Sequence, residues 1–146
     1  MLSKASARSK GMSNPTTPKP YNAINWFEIP TRDMDRAVAF YERAFALTLK
    51  REIFGGMPHA VFPSQCPAGG SSVAGAIVAD GPHLTPGTAG TVIYLDCKDG
   101  VAATLARATA AGAKVVLPHM GIGENGFIAI VDDLDGNRVG LHAMTA

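Results

Sequence analysis

Five side chains in predicted β-strands could bind or act on a small molecule: Trp26, Glu28, Tyr94, Arg138 and His142. Trp26 and Glu28 are two residues apart, so they share a face if both lie in one strand. A carboxylate held beside an indole in apolar surroundings has its pKa raised toward that of a useful general base. His142 could be the acid/base partner, because imidazole titrates near neutral pH. The catalytic prediction is therefore proton transfer by Glu28 and His142.

The same residues also have a binding interpretation without catalysis. Trp26 offers a flat apolar ring on which a ligand could stack, and Tyr94 could donate a hydrogen bond to a ligand oxygen or simply fill a cavity. Glu28 could be a carboxylate at the pocket rim that pairs with Arg138 or another base. His142 could be a hydrogen-bonded polar group in the pocket wall. Spacing alone leaves both interpretations open.

Other reactive side chains lack the neighbours that their chemistry needs. The histidines His59, His83 and His119 lie in or near predicted loops without shared spacing, so we expect them on the surface and leave open a latent metal cluster. Cys66 lies among Pro and Gly residues with no nearby base, and Cys97 faces the helices by strand alternation. Two distant cysteines predict no disulfide and fit a reducing compartment.

The glycine-rich segment GIGENG, residues 121–126, does not lead from a strand into a helix. A phosphate-binding loop requires that order, because the N-terminus of the helix binds the anion. We therefore predict a mobile loop at the mouth of the pocket, where it could act as a lid.

Residues 24–45 are predicted to form a strand followed by an amphipathic helix that covers a sheet. Aromatic and branched residues at 26–29 favour a strand that Pro30 ends, and Asp33 occupies the position of a helix N-cap. Apolar residues then recur at helical spacing: Met34, Ala37, Val38, Tyr41 and Phe45.

The same pattern returns 66 residues later. This shift aligns Trp26 with Val92 and Asp33 with Asp99, ahead of a short Ala-rich helix that Gly112 ends. The remaining strands are predicted at residues 47–53, 59–63, 72–79, 114–118, 127–131 and 138–143. The chain therefore predicts an α+β fold of two β-α-β-β-β modules, residues 22–79 and 90–144, joined by a linker at 80–89.

Composition predicts one soluble domain. The 146-residue chain has 47% hydrophobic and 17% charged residues, and no apolar run approaches the roughly 20 residues that span a membrane. The N-terminus lacks the apolar block of a secretory signal, so we expect a cytoplasmic protein. Residues 1–20 carry four bases and no acid and predict a disordered extension to a domain at 21–146. The twelve acids then outnumber the nine remaining bases, which argues against nucleic acid as a partner.

Two motifs resemble the vicinal oxygen chelate superfamily, whose members include glyoxalase I, bleomycin-resistance proteins and extradiol dioxygenases. They are DMDRAVAFY at the start of the first helix, residues 33–41, and DLDGN before the last strand, residues 133–137. The resemblance extends over residues 22–144. It implies that each module curls into half of an open, cupped mixed sheet, and that the two halves enclose a cavity.

In metal-dependent members of that superfamily, a divalent ion is held at four sheet positions. The resemblance places them on Trp26, Val92, Gly140 and Gly75, the last with an uncertainty of one residue. None of these side chains can bind Mg, Zn, Mn or Fe, so we predict no metal and no cofactor. Strand alternation then puts further side chains on the cavity side: Glu28, Tyr94, Arg138 and His142.

Two hypotheses for function follow from the resemblance. The first is a metal-free protein that binds a small apolar or aromatic ligand against Trp26, as bleomycin-resistance relatives do in principle. The alternative is a glyoxalase-type lyase or dioxygenase-related enzyme for a small oxygenated substrate, which would use Glu28 and His142 or unidentified metal ligands. We expect a homodimer, because an open sheet leaves edges and a cavity that a second copy can close.

Overall fold

The computed structural model describes residues 23–64 and 73–146, and these form two similar units. The predicted extension at 1–20 and Cys66 lie outside the described residues. The first unit contains β1 (Trp26–Thr31), α1 (Met34–Phe45), β2 (Lys50–Phe54), β3 (Met57–Val61) and β4 (Ala74–Ala79). The second contains β5 (Tyr94–Asp96), α2 (Val101–Ala110), β6 (Lys114–Gly121), β7 (Phe127–Asp132) and β8 (Arg138–Ala143), with a short 3-10 helix at Gly123–Asn125.

Each unit folds into its own four-stranded mixed sheet. The strand orders are β1-β4-β3-β2 and β5-β8-β7-β6. In both sheets the first strand runs parallel to the last, and the other neighbours are antiparallel. The predicted α+β fold of two repeated units with open sheets is confirmed.

Two prolines lie inside strands that were expected to end at them. β1 continues through Pro30 to Thr31, and β6 continues through Pro118 to Gly121. Both strands are at the edge of their sheet, where a missing backbone donor need not break the ladder. β6 also absorbs its proline through shifts in register against β7. The prediction that Pro30 closes β1 was therefore wrong, and β6 extends three residues past its predicted end at Pro118.

The two helices begin in different ways. Asp33 caps α1, and its carboxylate accepts a hydrogen bond from the backbone of Arg36, as predicted. At α2 the N-cap is Gly100, with φ 99° and no side-chain hydrogen bond, so the prediction for Asp99 was wrong. The Asp99 carboxylate instead accepts hydrogen bonds from Arg107 at 2.8 and 2.9 Å, which lower the pKa of that carboxyl.

A continuous hydrophobic core lies between the helices and one face of each sheet. Tyr41 of α1 packs against Phe45 and Phe62, with ring centroids 5.9 and 5.7 Å apart, and Val101 of α2 is fully buried. The two helices also contact each other. No helix in the described part of the chain is long and apolar enough to cross a membrane.

The turn between β7 and β8, which we call the acidic turn (residues 133–137), joins the two units. Asp133 accepts a hydrogen bond of 2.7 Å from the Tyr41 hydroxyl. Asp135 accepts one of 2.6 Å from Thr31 Oγ1, and Asn137 Nδ2 donates one of 2.7 Å to the Pro30 carbonyl. These contacts hold the start of β8 against the end of β1, so they position side chains from both units relative to one another.

Candidate functional site

The first sheet presents Trp26 and Glu28 on the face opposite α1, which we call its open face. Phe27 and Ile29, the alternate residues of β1, pack with the core instead. Trp26 is 40% exposed, and its indole Nε1 donates a hydrogen bond of 3.3 Å to Glu28 Oε2. The indole ring and the carboxylate therefore lie side by side on an accessible surface.

His59 also belongs to this open face, where sequence reasoning did not place it. It lies in β3 and is only 4% exposed, so the expectation of a surface loop histidine was wrong. Its Nε2 is 3.6 Å from Glu28 Oε2, and its Nδ1 is 2.9 Å from the Met57 carbonyl. The signal that could have found it is its position within a predicted strand, where a histidine must point to one face or the other.

The contact between Glu28 and His59 spans the strand that lies between them. β4 separates β1 from β3, and Ala76 of β4 is the register partner of Glu28. Ala76 is fully buried, as expected for a methyl group beneath the two longer side chains. A larger residue at position 76 would occupy the space through which they meet.

Ala76, not Gly75, is the residue of β4 on the open face. Gly75 is the register partner of Phe27, and a Cβ built on it would collide with the Phe27 ring. Glycine is therefore required at position 75 because an aromatic ring lies against its backbone on the helix side. The position that the resemblance placed on Gly75, with an uncertainty of one residue, is therefore Ala76.

The second sheet carries an apolar row on its open face. Tyr94, Gly140, Ile130 and Leu117 are register partners across all four strands. The Tyr94 ring is 47% exposed and lies over Gly140, where a built Cβ would collide with it. The residues that directly follow Tyr94, Gly140 and Ile130 in the chain point to the other face and pack in the core beneath α2. The ring and its neighbours therefore offer an accessible flat apolar surface.

Arg138 begins β8 and reaches back to β7. Its guanidinium donates two hydrogen bonds to Asp132, of 2.9 and 3.2 Å, and these raise the pKa of Arg138. The alternative in which Glu28 pairs with Arg138 is therefore not observed. Both residues nevertheless line one cleft of about 270 Å³ between β1, the segment at 84–91 and β8.

His142 lies toward the opposite end of β8 and does not line that cleft. Its Nε2 is 2.7 Å from the carbonyl oxygen of Asn125, so this nitrogen carries a proton and donates to the carbonyl. Asn125 belongs to the GIGENG segment, which forms the connection between β6 and β7 and contains the short 3-10 helix. The role of this segment as a lid stays a prediction.

Cys97 follows β5 and is 2% exposed. Burial raises the pKa of its thiol, which disfavours the reactive thiolate. The side chain therefore packs with the core, as strand alternation predicted.

The side chains at the four positions that the resemblance assigns to a metal do not fit a divalent ion. The Trp26 indole is a hydrogen-bond donor engaged with Glu28, while Ala76, Val92 and Gly140 offer no ligand atom. Ala76 is fully buried, and the Tyr94 ring covers Gly140. Across residues 23–64 and 73–146, no group of three or more His, Cys, Asp or Glu residues is arranged to hold a metal ion.

Comparison with known proteins identifies the family. Residues 23–141 match the model of the Glyoxalase/Bleomycin resistance protein/Dioxygenase superfamily. The comparison with curated proteins found no match.

Solved structures share the fold at low sequence identity. A glyoxalase/bleomycin resistance protein from Streptomyces sp. CB03234 has 24% identity and a TM-score of 0.60, covering 83% of this chain and 100% of that one. TnmS3, an antibiotic binding protein from the same organism, has 24% identity and a TM-score of 0.59, covering 84% and 95%. The fosfomycin resistance protein FosX from Listeria monocytogenes has 17% identity and a TM-score of 0.56, covering 85% and 91%. With its two repeated units and a family match over most of its length, the chain belongs to the Glyoxalase/Bleomycin resistance protein/Dioxygenase superfamily.

Proposed function

We propose that this is a cytoplasmic protein that binds a small aromatic or largely apolar molecule on the open faces of its sheets, without a metal ion. The observation that carries the proposal is the exposure of two aromatic rings, Trp26 at 40% and Tyr94 at 47%, on those faces. Covering such rings with a ligand removes apolar area from water, which favours binding.

Polar groups close to the rings would orient the ligand. Glu28 lies beside Trp26 and also lines the cleft that Arg138 borders. Small-molecule sites commonly combine apolar walls with a few fixed polar groups, because the walls supply affinity and the polar groups supply orientation. Tyr94 and His142 complete the proposed ligand-binding set on the second sheet.

Two further points support binding without metal. The four family metal positions hold an indole, two aliphatic side chains and a glycine, so a divalent ion has no ligands there. The fold is also shared with TnmS3, which is described as an antibiotic binding protein. Such a fold is therefore compatible with the binding of a small molecule.

The test uses Trp26 as a reporter, because it is the only tryptophan in the chain. We expect the indole N–H resonance in a ¹H–¹⁵N spectrum to shift as 2-naphthol is added. Calorimetry should show that Trp26→Leu weakens binding roughly five- to thirtyfold, the equivalent of about 1–2 kcal/mol of lost ring contact.

The matched control is Ile53→Ala, which removes an apolar side chain that is 67% exposed. Ile53 alternates with the open-face residues of β2, so its side chain points away from the proposed site. This variant should bind 2-naphthol like the wild type. An unmoved indole resonance at saturating probe, or equal affinity in Trp26→Leu, would refute the proposal.

Acid–base catalysis is a second candidate, and the 3.6 Å separation of Glu28 from His59 favours it. In this reading Glu28 takes a proton from a small oxygenated substrate and returns it, as in a glyoxalase-type lyase, while His142, the predicted partner, lies outside the cleft that Glu28 lines. Any turnover found in a substrate screen should then be lost in Glu28→Gln and kept in Glu52→Gln. Turnover that survives Glu28→Gln would exclude this role.

We also infer a homodimer. Tyr94 and Met120, which is 42% exposed, lie on the open face of the second sheet, and a second copy could cover part of this surface. Light scattering of the purified protein should give twice the chain mass of 15.2 kDa. A strictly monomeric mass at all concentrations would contradict the inference.

A further inference from the structure

Hydrogen bonding fixes the orientation and the proton of the His59 ring. Its Nδ1 faces the Met57 carbonyl at 2.9 Å, and a carbonyl can only accept, so Nδ1 carries the hydrogen. Phe54 contacts the ring edge to face, with centroids 4.8 Å apart, and the histidine is nearly buried. In the neutral ring, Nε2 is therefore a fixed acceptor that points toward Glu28.

The Glu28 carboxylate lies between this acceptor and the indole. Oε2 accepts one hydrogen bond from Trp26 Nε1, and no described residue donates to Oε1. The Glu28 side chain is 36% exposed, so Oε1 is within reach of a ligand. When the imidazole is neutral, two acceptor groups thus face each other, and the Trp26 N–H is the one donor that the described residues place beside them.

Nearby charged groups do not supply the missing donor. Glu52, the register partner of His59, pairs with Lys50 at 3.2 Å. Arg138 lines the same cleft as Glu28, but its guanidinium is engaged with Asp132. The described β4 residues next to Glu28 and His59, Ala76 and Val78, have no polar side-chain atom.

We propose that Glu28, oriented by the hydrogen bond from Trp26, is the specificity-determining residue of this site and selects aromatic ligands that carry a hydroxyl group. The ligand ring would stack against Trp26 while its O–H donates to Glu28. This inference rests on the proposed binding function and adds the chemical class of ligand: a phenol rather than a plain arene or an aryl ether. A neutral hydroxyl supplies the donor without the cost of desolvating a second charge.

The test compares two probes, 2-naphthol and its methyl ether, 2-methoxynaphthalene, in which a methyl group replaces the donor hydrogen. Both are titrated at pH 7 while the Trp26 indole resonance is followed. We expect wild-type protein to bind 2-naphthol about tenfold or more tightly than the ether, because a hydrogen bond to a charged acceptor raises the affinity by roughly this factor. In Glu28→Leu the ratio of the two affinities should fall to near one.

Glu52→Leu is the matched control, since it removes a carboxylate of similar exposure from the same face. It should keep the preference for the phenol, and thermal melts of both variants verify that they fold. Equal affinities for the two probes in wild-type protein, or an unchanged preference in Glu28→Leu, would overturn the inference while leaving the binding function intact. If neither probe moves the indole resonance, the proposed function itself fails.

Discussion

The hydrogen bond between Tyr41 and Asp133 should contribute measurably to stability, because it links α1 to the acidic turn inside the core. The Tyr41 hydroxyl donates to Asp133 Oδ2 at 2.7 Å, and Tyr41 is 1% exposed. Tyr41→Phe removes this hydroxyl and keeps the ring that packs against Phe45 and Phe62. The variant therefore isolates one polar contact from the packing around it.

The expected loss is about 2 kcal/mol of unfolding free energy. A hydrogen bond to a charged group contributes about 1.5–3 kcal/mol, and the lower part of this range applies here. Asp133 Oδ2 keeps a second donor, Asn137 Nδ2 at 3.1 Å, so the carboxylate is not left without a partner. For a domain of this size, that loss lowers Tm by roughly 5–10 °C.

Urea unfolding at pH 7, followed by circular dichroism, measures the difference. The matched control is Tyr94→Phe, because the Tyr94 hydroxyl has no hydrogen-bond partner among the described residues and its ring is exposed. That variant should lie within about 0.5 kcal/mol of wild type. A Tyr41→Phe variant as stable as Tyr94→Phe would refute the reasoning.

Alkaline pH gives an independent measure of the same contact. Burial, reinforced by the Asp133 carboxylate, raises the pKa of Tyr41 well above its ordinary value. An unfolded tyrosine ionises near pH 10, so the neutral hydroxyl stabilises the fold below that pH, and this contribution falls as the pH rises further. The stability gap between wild type and Tyr41→Phe should therefore narrow above about pH 10, and a constant gap would argue against the assignment.

Three further predictions follow. Gly140→Ala should lower the unfolding free energy by about 1–3 kcal/mol, because the new Cβ meets the Tyr94 ring. Gly87→Ala, whose Cβ meets nothing within 4 Å, should be neutral. In protein that already carries Tyr94→Ala, the change Gly140→Ala should cost much less. Cys97 should resist a thiol reagent in native Cys66→Ser protein and react on unfolding; rapid native labelling would contradict its burial. Binding of 2-naphthol should be unaffected by a chelator, whereas a stoichiometric metal that EDTA removes together with binding would overturn the metal-free proposal.

The first helix could be predicted closely from sequence because several signals agree there. Asp33 caps it, and the apolar spacing of Ala37, Val38 and Tyr41 matches the side that is buried. The second helix follows the same pattern, yet Asp99 does not cap it. Its carboxylate instead binds Arg107, eight residues and about two helical turns away, a pairing that the residue preferences at a helix N-cap do not reveal.

The candidate site was only partly predictable, because its parts meet across strands. Alternation within β1 placed Trp26 and Glu28 on one face. It could not show that Glu28 reaches over Ala76 to His59, since that depends on strand order and on the register of β4. The shift from Gly75 to Ala76 has the same origin, because one residue of register exchanges the two faces of a strand.

The acidic turn also bears on how the chain folds during synthesis. Its partners on the first unit, Thr31 and Tyr41, leave the ribosome roughly ninety residues or more before Asp133 and Asp135 follow. Until then the Tyr41 hydroxyl lacks its acceptor, and α1 lacks the contact with α2. We therefore expect the N-terminal half of the nascent chain to gain these contacts only after the C-terminal half has emerged, and truncation before residue 133 to remove the partners of Thr31 and Tyr41.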